Sequence, residues 1–178
     1  IRSAASELLL QNKCDFLVIG SGVAGLSYAL KAASLGQVIL IAKRSLEESN
    51  TRYAQGGIAA VWSPEDSPES HVEDTLVAGA GLCRRETVEK VVREGPARVQ
   101  EMIDQGVSFC RDTSHQSFDL GREGGHSERR ILHARDRTGE EIVRALTEKV
   151  RIHPNIEIRE HCMAVDLITS SSLARRKE

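Results

Sequence analysis

The chain has 178 residues, 40% of them hydrophobic, enough for one domain with a real core and too apolar for a disordered chain. Its 24 basic and 26 acidic residues give a net charge of −2, and only 3% of residues are aromatic, so neither a nucleic acid nor an anionic membrane surface is an expected partner. No apolar run is long enough to span a bilayer.

Residues 1–13 read as an N-terminal extension. Ile1 to Leu10 lacks the basic-then-apolar pattern of a secretory signal and is compatible with the remnant of a transit peptide. Cys14, Cys83, Cys110 and Cys162 show no metal-like spacing. They read as free thiols, mostly buried, in a reducing compartment. The six histidines also lack HxxxH or HExxH spacing, so no metal site is expected, and surface or satisfied core roles are the default. His126 stands apart because of the loop it occupies.

The first element is the most informative. An apolar run from Phe16 to Ile19 leads into Gly20-x-Gly22-x-x-Gly25, then a helix of small residues, then a second apolar run from Val38 to Ala42. Strand, glycine turn, helix and strand fall where a dinucleotide-binding unit needs them. Gly20 permits the tight turn, Gly22 the approach of a pyrophosphate, and Gly25 the close packing of helix on strand. The second strand ends in Ala42-Lys43-Arg44, without the acidic residue that holds a ribose in ordinary NAD sites. That leaves FAD or NADP.

Glu48 to Ala60 (ESNTRYAQGGIAA) follows that strand directly. Ser49, Asn50, Thr51, Gln55 and the Gly56-Gly57 pair offer hydroxyls, amides and backbone N–H groups of the kind that orient a flavin or a pyrophosphate. Helical spacing returns at Ser70 to Ala80 and in a longer segment from Glu86 to Gln105, with Val91, Val92, Val99, Met102 and Ile103 inward. Gly95-Pro96 is expected to kink that helix or start a new one. Gly106 closes it. Val107 to Cys110 reads as a short strand and Ser114 to Gly125 as loop or hairpin.

Gly121 to Arg130 (GREGGHSERR) carries charge of both signs on Arg122, Glu123, His126 and Arg130, a mix suited to a zwitterionic or dicarboxylate ligand and equally to a solvated cluster. Gly139 to Val150 is a helix with Ile142, Val143, Leu146 and Val150 inward. Ile156 to Arg159 and Met163 to Ile168 read as a hairpin-like pair of strands. Residues 170–178, including Arg175-Arg176-Lys177, read as a solvated tail. The fold class is α/β: a Rossmann-like domain with a mainly parallel sheet.

In combination, Gly20 to Gly25, Lys43, SNTRYAQGGIAAV (Ser49 to Val61), SHVEDTLVAGAGLC (Ser70 to Cys83), REGGHSERRILHA (Arg122 to Ala134) and the stretch Asn155 to Ile168 resemble the L-aspartate oxidase branch of the succinate dehydrogenase/fumarate reductase flavoprotein family. The resemblance runs from about Asp15 to Ile168. It implies FAD as cofactor and oxidation of L-aspartate to iminoaspartate, with electrons passing to oxygen or fumarate. That reaction opens quinolinate and NAD biosynthesis, with quinolinate synthase as a partner, in the cytoplasm or, in a plant, the plastid.

Carried onto this sequence, the resemblance assigns Gly20, Ser21, Gly22, Val23, Ala24 and Gly25 to the pyrophosphate and Lys43 to the adenosine end. It assigns Asn50, Thr51, Arg52, Tyr53, Ala54, Gln55, Gly56 and Gly57 to the flavin, and the backbone of Ala164 to the adenine. Glu123 matches the acidic residue that orients the substrate ammonium. Relatives that tether their flavin do so through a histidine where this chain has Asn50, so the resemblance implies noncovalent FAD.

Family members are much longer. Residues 14–169 correspond to the N-terminal part of their FAD-binding domain, without the capping domain, the later strands or the catalytic arginine. On that reading no catalytic residue lies within the chain, and the chain alone does not turn over. Two other readings stay open: a fumarate reductase or succinate dehydrogenase flavoprotein, against which Asn50 and Glu123 speak, and a nonenzymatic nucleotide-binding module.

Overall fold

The apolar run Phe-Leu-Val-Ile forms strand β1 (Phe16–Ile19), and Val-Ile-Leu-Ile forms β2 (Val38–Ile41), joined by helix α1 (Val23–Ala32). The computed structural model describes residues 13–114 and 116–169. β2 is buried at every position, as an unbroken apolar strand flanked on both edges must be. It lies between β1 and β6 (Ile156–Arg159), and all three run parallel, with Phe16 opposite Val38 and Val38 opposite Ile156. α1 turns Leu26, Ala29 and Ala32 inward, and the small residues let it pack on β1 and β2. These elements belong to the first of two compact units, residues 1–46 with 150–178.

The second unit spans Glu47–Lys149. Its elements are a 3₁₀ turn (Asn50–Tyr53), β3 (Ile58–Ala59), α2 (Pro68–Ala78), α3 (Arg85–Asp104), β4 (Leu120–Gly121), β5 (Ile131–Leu132) and most of α4 (Thr138–Ile152). Ser67 caps α2, accepting from the Ser70 N–H at 3.1 Å, with Pro68 next in line where its missing N–H does no harm. α2 and α3 share a core of Val72, Val88 and Val92, with Val61, Leu76 and Cys83 against it. A small antiparallel sheet runs in the order β3-β5-β4, with Leu132 facing both Ile58 and Leu120. Trp62 meets Phe118 edge-on at 5.2 Å, and Phe109 meets the same ring at 6.3 Å.

β1, β6, α2 and α4 fall close to their expected ranges, and Ile142, Val143, Leu146 and Val150 are buried as expected. Other expectations are corrected. α3 is one continuous helix with Pro96 inside it, because a single missing N–H does not outweigh a buried face on either side. That face is Val88, Val92 and Val99, while Val91 is 65% exposed and Met102 and Ile103 are only partly covered.

Val107 to Cys110 forms no strand. It is held at single points, by the Cys110 N–H to the His133 carbonyl and the Asp119 N–H to the Cys110 carbonyl. Met163 to Ile168 forms none either, and β6 pairs parallel with β2 rather than in a hairpin. Met163, Val165, Leu167 and Ile168 stand exposed, with no strand beside them among the described residues. The antiparallel sheet was not expected from the sequence. All four cysteines are free but only half-buried. The expected tail at residues 170–178 lies outside the described residues.

Candidate functional site

The first part of the site is the turn between β1 and α1. Gly20 adopts φ +102°, and its N–H binds the Ile41 carbonyl at 2.9 Å, tying the turn to the end of β2. A Cβ on Gly25 would strike the Gly20 carbonyl, so only glycine lets the helix approach so closely. Gly22 is the N-cap of α1, no side chain caps the helix, and its first turn holds no acidic residue. Ser21 is buried at the same corner. A helix N-terminus whose first turn holds no acidic residue favours an anion by its partial positive charge. Lys43, just past β2, lies exposed at the same C-terminal end of the parallel sheet. A pyrophosphate and the group beyond it fit these residues.

A separate set of candidate residues lies in the second unit. The Asn50–Tyr53 turn closes with the Arg52 N–H on the Ser49 carbonyl and the Ala54 N–H on the Thr51 carbonyl, both at 3.1 Å. Tyr53 donates to the Glu48 carboxylate at 2.9 Å, and Arg52 reaches Glu140 at 3.4 Å. Asn50 and residues 52–57 are exposed, and Thr51 is half-covered. The Ser49 hydroxyl is buried with no partner among the described residues.

Glu123 sits beside this loop: its Oε1 is 3.6 Å from where a Cβ on Gly56 would lie. The Glu123 carboxylate is exposed and forms no hydrogen bond or ion pair with the described residues. It is thus the one candidate substrate contact that the structure brings to the flavin-assigned loop. Ala164 lies in the irregular segment after β6, with nothing about it that marks a nucleotide contact.

Behind Glu123 is a polar cluster that sequence reasoning missed. Arg130 is completely buried. Its Nε and Nη2 form a fork on Asp66, each at 2.8 Å, and its Nη1 binds Asp74 at 2.5 Å. Nη2 also donates to the Ser70 hydroxyl at 3.0 Å. Ser70 and Asp74 lie on one face of α2, four residues apart, which a helical reading could have shown. Their partner, distant in sequence, left no local signal. His71 is buried nearby with no partner for its Nδ1 among the described residues, contrary to the satisfied role expected of it, and its ring lies 5.7 Å from that of His126. Burial pushes the His71 imidazole below its ordinary pKa, and the positive charge of Arg130 adds to this, against the pull of Asp66 and Asp74. Among the described residues, no group of three or more His, Cys, Asp or Glu is placed to hold a metal ion.

A parallel sheet with a glycine turn feeding an uncapped helix defines a dinucleotide-binding flavoprotein fold, and the chain belongs to the FAD binding domain family, whose model matches residues 15–176. Among curated proteins, it is similar to chloroplastic L-aspartate oxidase 2-a of Nicotiana tabacum, 55% identical over 156 residues, covering 88% of this chain and 24% of the relative. It is 52% identical to L-aspartate oxidase of Yersinia pestis over 162 residues, covering 89% of this chain and 30% of the relative. Among solved structures, a quinol fumarate reductase of E. coli superposes with a TM-score of 0.78 at 30% identity, over 83% of this chain and 26% of that one. The chain therefore spans about a quarter to a third of the length of these relatives. No helix among the described residues is long and apolar enough to cross a membrane.

Proposed function

We propose that this chain is the FAD-binding portion of an L-aspartate oxidase, a protein that converts L-aspartate to iminoaspartate and delivers the electrons to oxygen or fumarate. The product would pass to quinolinate synthase, in the cytoplasm or, in a plant, in the plastid. The identity to L-aspartate oxidases of a plant and a bacterium supports the reading. The observation that carries it is the unpaired Glu123 carboxylate beside Gly56.

The chemistry that FAD supplies when bound is acceptance of the hydride from the substrate Cα. The chain's own residues bind and orient. The turn Gly20 to Gly25 holds the pyrophosphate against the α1 N-terminus, and Lys43 meets the adenosine end. The Asn50 to Gly57 loop lines the flavin. Asn50 has no nucleophile with which to tether the ring, so FAD is held noncovalently. Glu123 accepts from the substrate ammonium and fixes the direction in which Cα–H points.

The superposition on a fumarate reductase favours a second reading, reduction of fumarate as the main reaction. A dicarboxylate without an amine leaves Glu123 with nothing to bind, which weighs against it.

The test is Glu123→Gln in a full-length oxidase carrying this chain. Loss of one charge-assisted hydrogen bond lowers kcat/KM for L-aspartate by about 10- to 100-fold. Fumarate, which has no amine, is reduced as before. If both reactions fall together, Glu123 does not bind the ammonium and the assignment is wrong.

A further inference from the structure

We infer that Arg130 and Asp74 are positioning residues for Glu123, holding the loop that carries it through Ser127. The inference rests on the substrate-orienting role proposed above for Glu123.

The loop has no apolar anchor of its own. Residues 122–125 and 127–129 are exposed, and Gly125 stands at φ +86°. What fixes the loop is polar. The His126 N–H donates to the Glu123 carbonyl at 3.3 Å, closing a turn around the two glycines. The next residue, Ser127, donates both its N–H and its hydroxyl to Asp74 Oδ2, each at 2.8 Å. Its hydroxyl also lies 3.0 Å from that of Ser70.

The same Asp74 oxygen takes Arg130 Nη1. Arg130 in turn is clamped by Asp66, whose Oδ1 also accepts from the Ser67 N–H at the start of α2. Arg130 Nη1 lies 3.3 Å from His126 Nδ1, and a guanidinium only donates, so that nitrogen accepts and the imidazole proton sits on Nε2. The segment that follows the turn is thereby fastened at two points, Ser127 to Asp74 on α2 and Arg130 to Asp66 just before that helix. Glu123 is one turn away from that fastening. A carboxylate that must meet an ammonium in one geometry depends on such a second layer of contacts, since misplacement by about 1 Å is enough to lose a large part of its effect.

The test uses Asp74→Ala, alone and combined with Glu123→Gln, in the full-length holoenzyme. Asp74→Ala lowers kcat/KM for L-aspartate about tenfold, mainly through KM, while fumarate reduction changes less than about twofold. The double variant is no worse than Glu123→Gln alone, because the two substitutions remove one function. Ser127→Ala shifts the same ratio about threefold in the same direction, and stands in for Asp74→Ala should that variant not fold. A proportional loss in both reactions, or effects that multiply in the double variant, would overturn the inference.

Amide exchange separates this inference from the reading of Glu123 itself. In Asp74→Ala or Ser127→Ala, the bonded amides of residues 126 and 127 exchange at least about tenfold faster while those of α3 do not change. Unchanged exchange sinks the positioning role. An unchanged substrate ratio in Glu123→Gln sinks only the ammonium assignment.

Discussion

Two carboxylates face one guanidinium at Arg130, and their energetics differ. The pair with Asp66 is fully enclosed, with side-chain exposures of 0% and 1%. Removing one partner of such a pair costs about 3–5 kcal/mol, whereas an exposed pair such as Arg85 with Glu73 is screened by solvent and contributes little. Burial would raise the pKa of Asp74, but the Ser127 N–H, the Ser127 hydroxyl and Arg130 outweigh it and hold the carboxyl at about 2, against an ordinary 3.8. A folded value below the unfolded one stabilises the protein above the unfolded pKa, and that stability is lost as pH falls through the folded one. The difference in unfolding free energy between the wild type and Asp74→Ala is therefore expected to stay constant from neutral pH to about 4.5 and to narrow toward pH 2. Denaturant titrations at several pH values measure it. Asp112, also held at about 2 by Ser117 and Ser114, is present in both proteins and cancels in the difference. A gap that stays flat to the acid limit would mean that the Asp74 charge contributes nothing. Of this cluster, only the charges on Arg130 and His126 were legible in the sequence. Burial of an arginine is a property of the folded neighbourhood, and nothing local marks Asp66, Ser70 and Asp74 as its partners.

At the scale of elements, legibility followed length and periodicity. β1, β2, β6 and α4 were readable because their apolar positions recur with the period of one structure and are bounded by glycine, proline or charge. β3, β4 and β5 are two residues each and exist only through pairing with distant chain, so no local pattern marked them. The segment Met163 to Ile168 misled for the opposite reason: it alternates like a strand but has no neighbour to pair with among the described residues. α3 shows how one position of phase decides burial. Val92→Ala removes two methyl groups from the core shared with Val72 and Val88, and is expected to cost about 2–3 kcal/mol. Val91→Ala, one residue away on the exposed side, is expected to fall within about 0.5 kcal/mol of wild type, helped by alanine's helix preference. Urea denaturation with an unchanged m-value checks both. Equal losses at the two positions would mean that Val91 is covered in solution.

For the molecule as a whole, the glycine turn and its flanking strands were enough to give the fold class, because each residue type there answers one geometric demand. The division into two compact units was not legible, since the chain leaves the first unit after Leu46 and returns at Val150 with no change in composition to mark either crossing. The cofactor's mode of attachment is a property of the whole protein, and the proposed place of Asn50 in the flavin loop implies a noncovalent one. Acid precipitation of a full-length protein carrying this chain is expected to release all of its flavin as intact FAD into the supernatant. Yellow colour that stays with the washed pellet would show a covalent link through some other residue.

Gly139 has none of the marks of a ligand-binding residue, sitting in the first turn of a helix and outside every motif singled out in the sequence. Yet its N–H holds the Ala54 carbonyl at 3.0 Å, and a Cβ there would strike the carbonyl of Thr51. A side chain at 139 would displace the Asn50–Tyr53 turn before it troubled the helix it belongs to. A screen of tolerated substitutions would accordingly group position 139 with the loop at 50–57 and not with its own helical neighbours. An inherited change at this glycine would act through the Asn50–Tyr53 turn, a segment more than eighty residues away in the sequence.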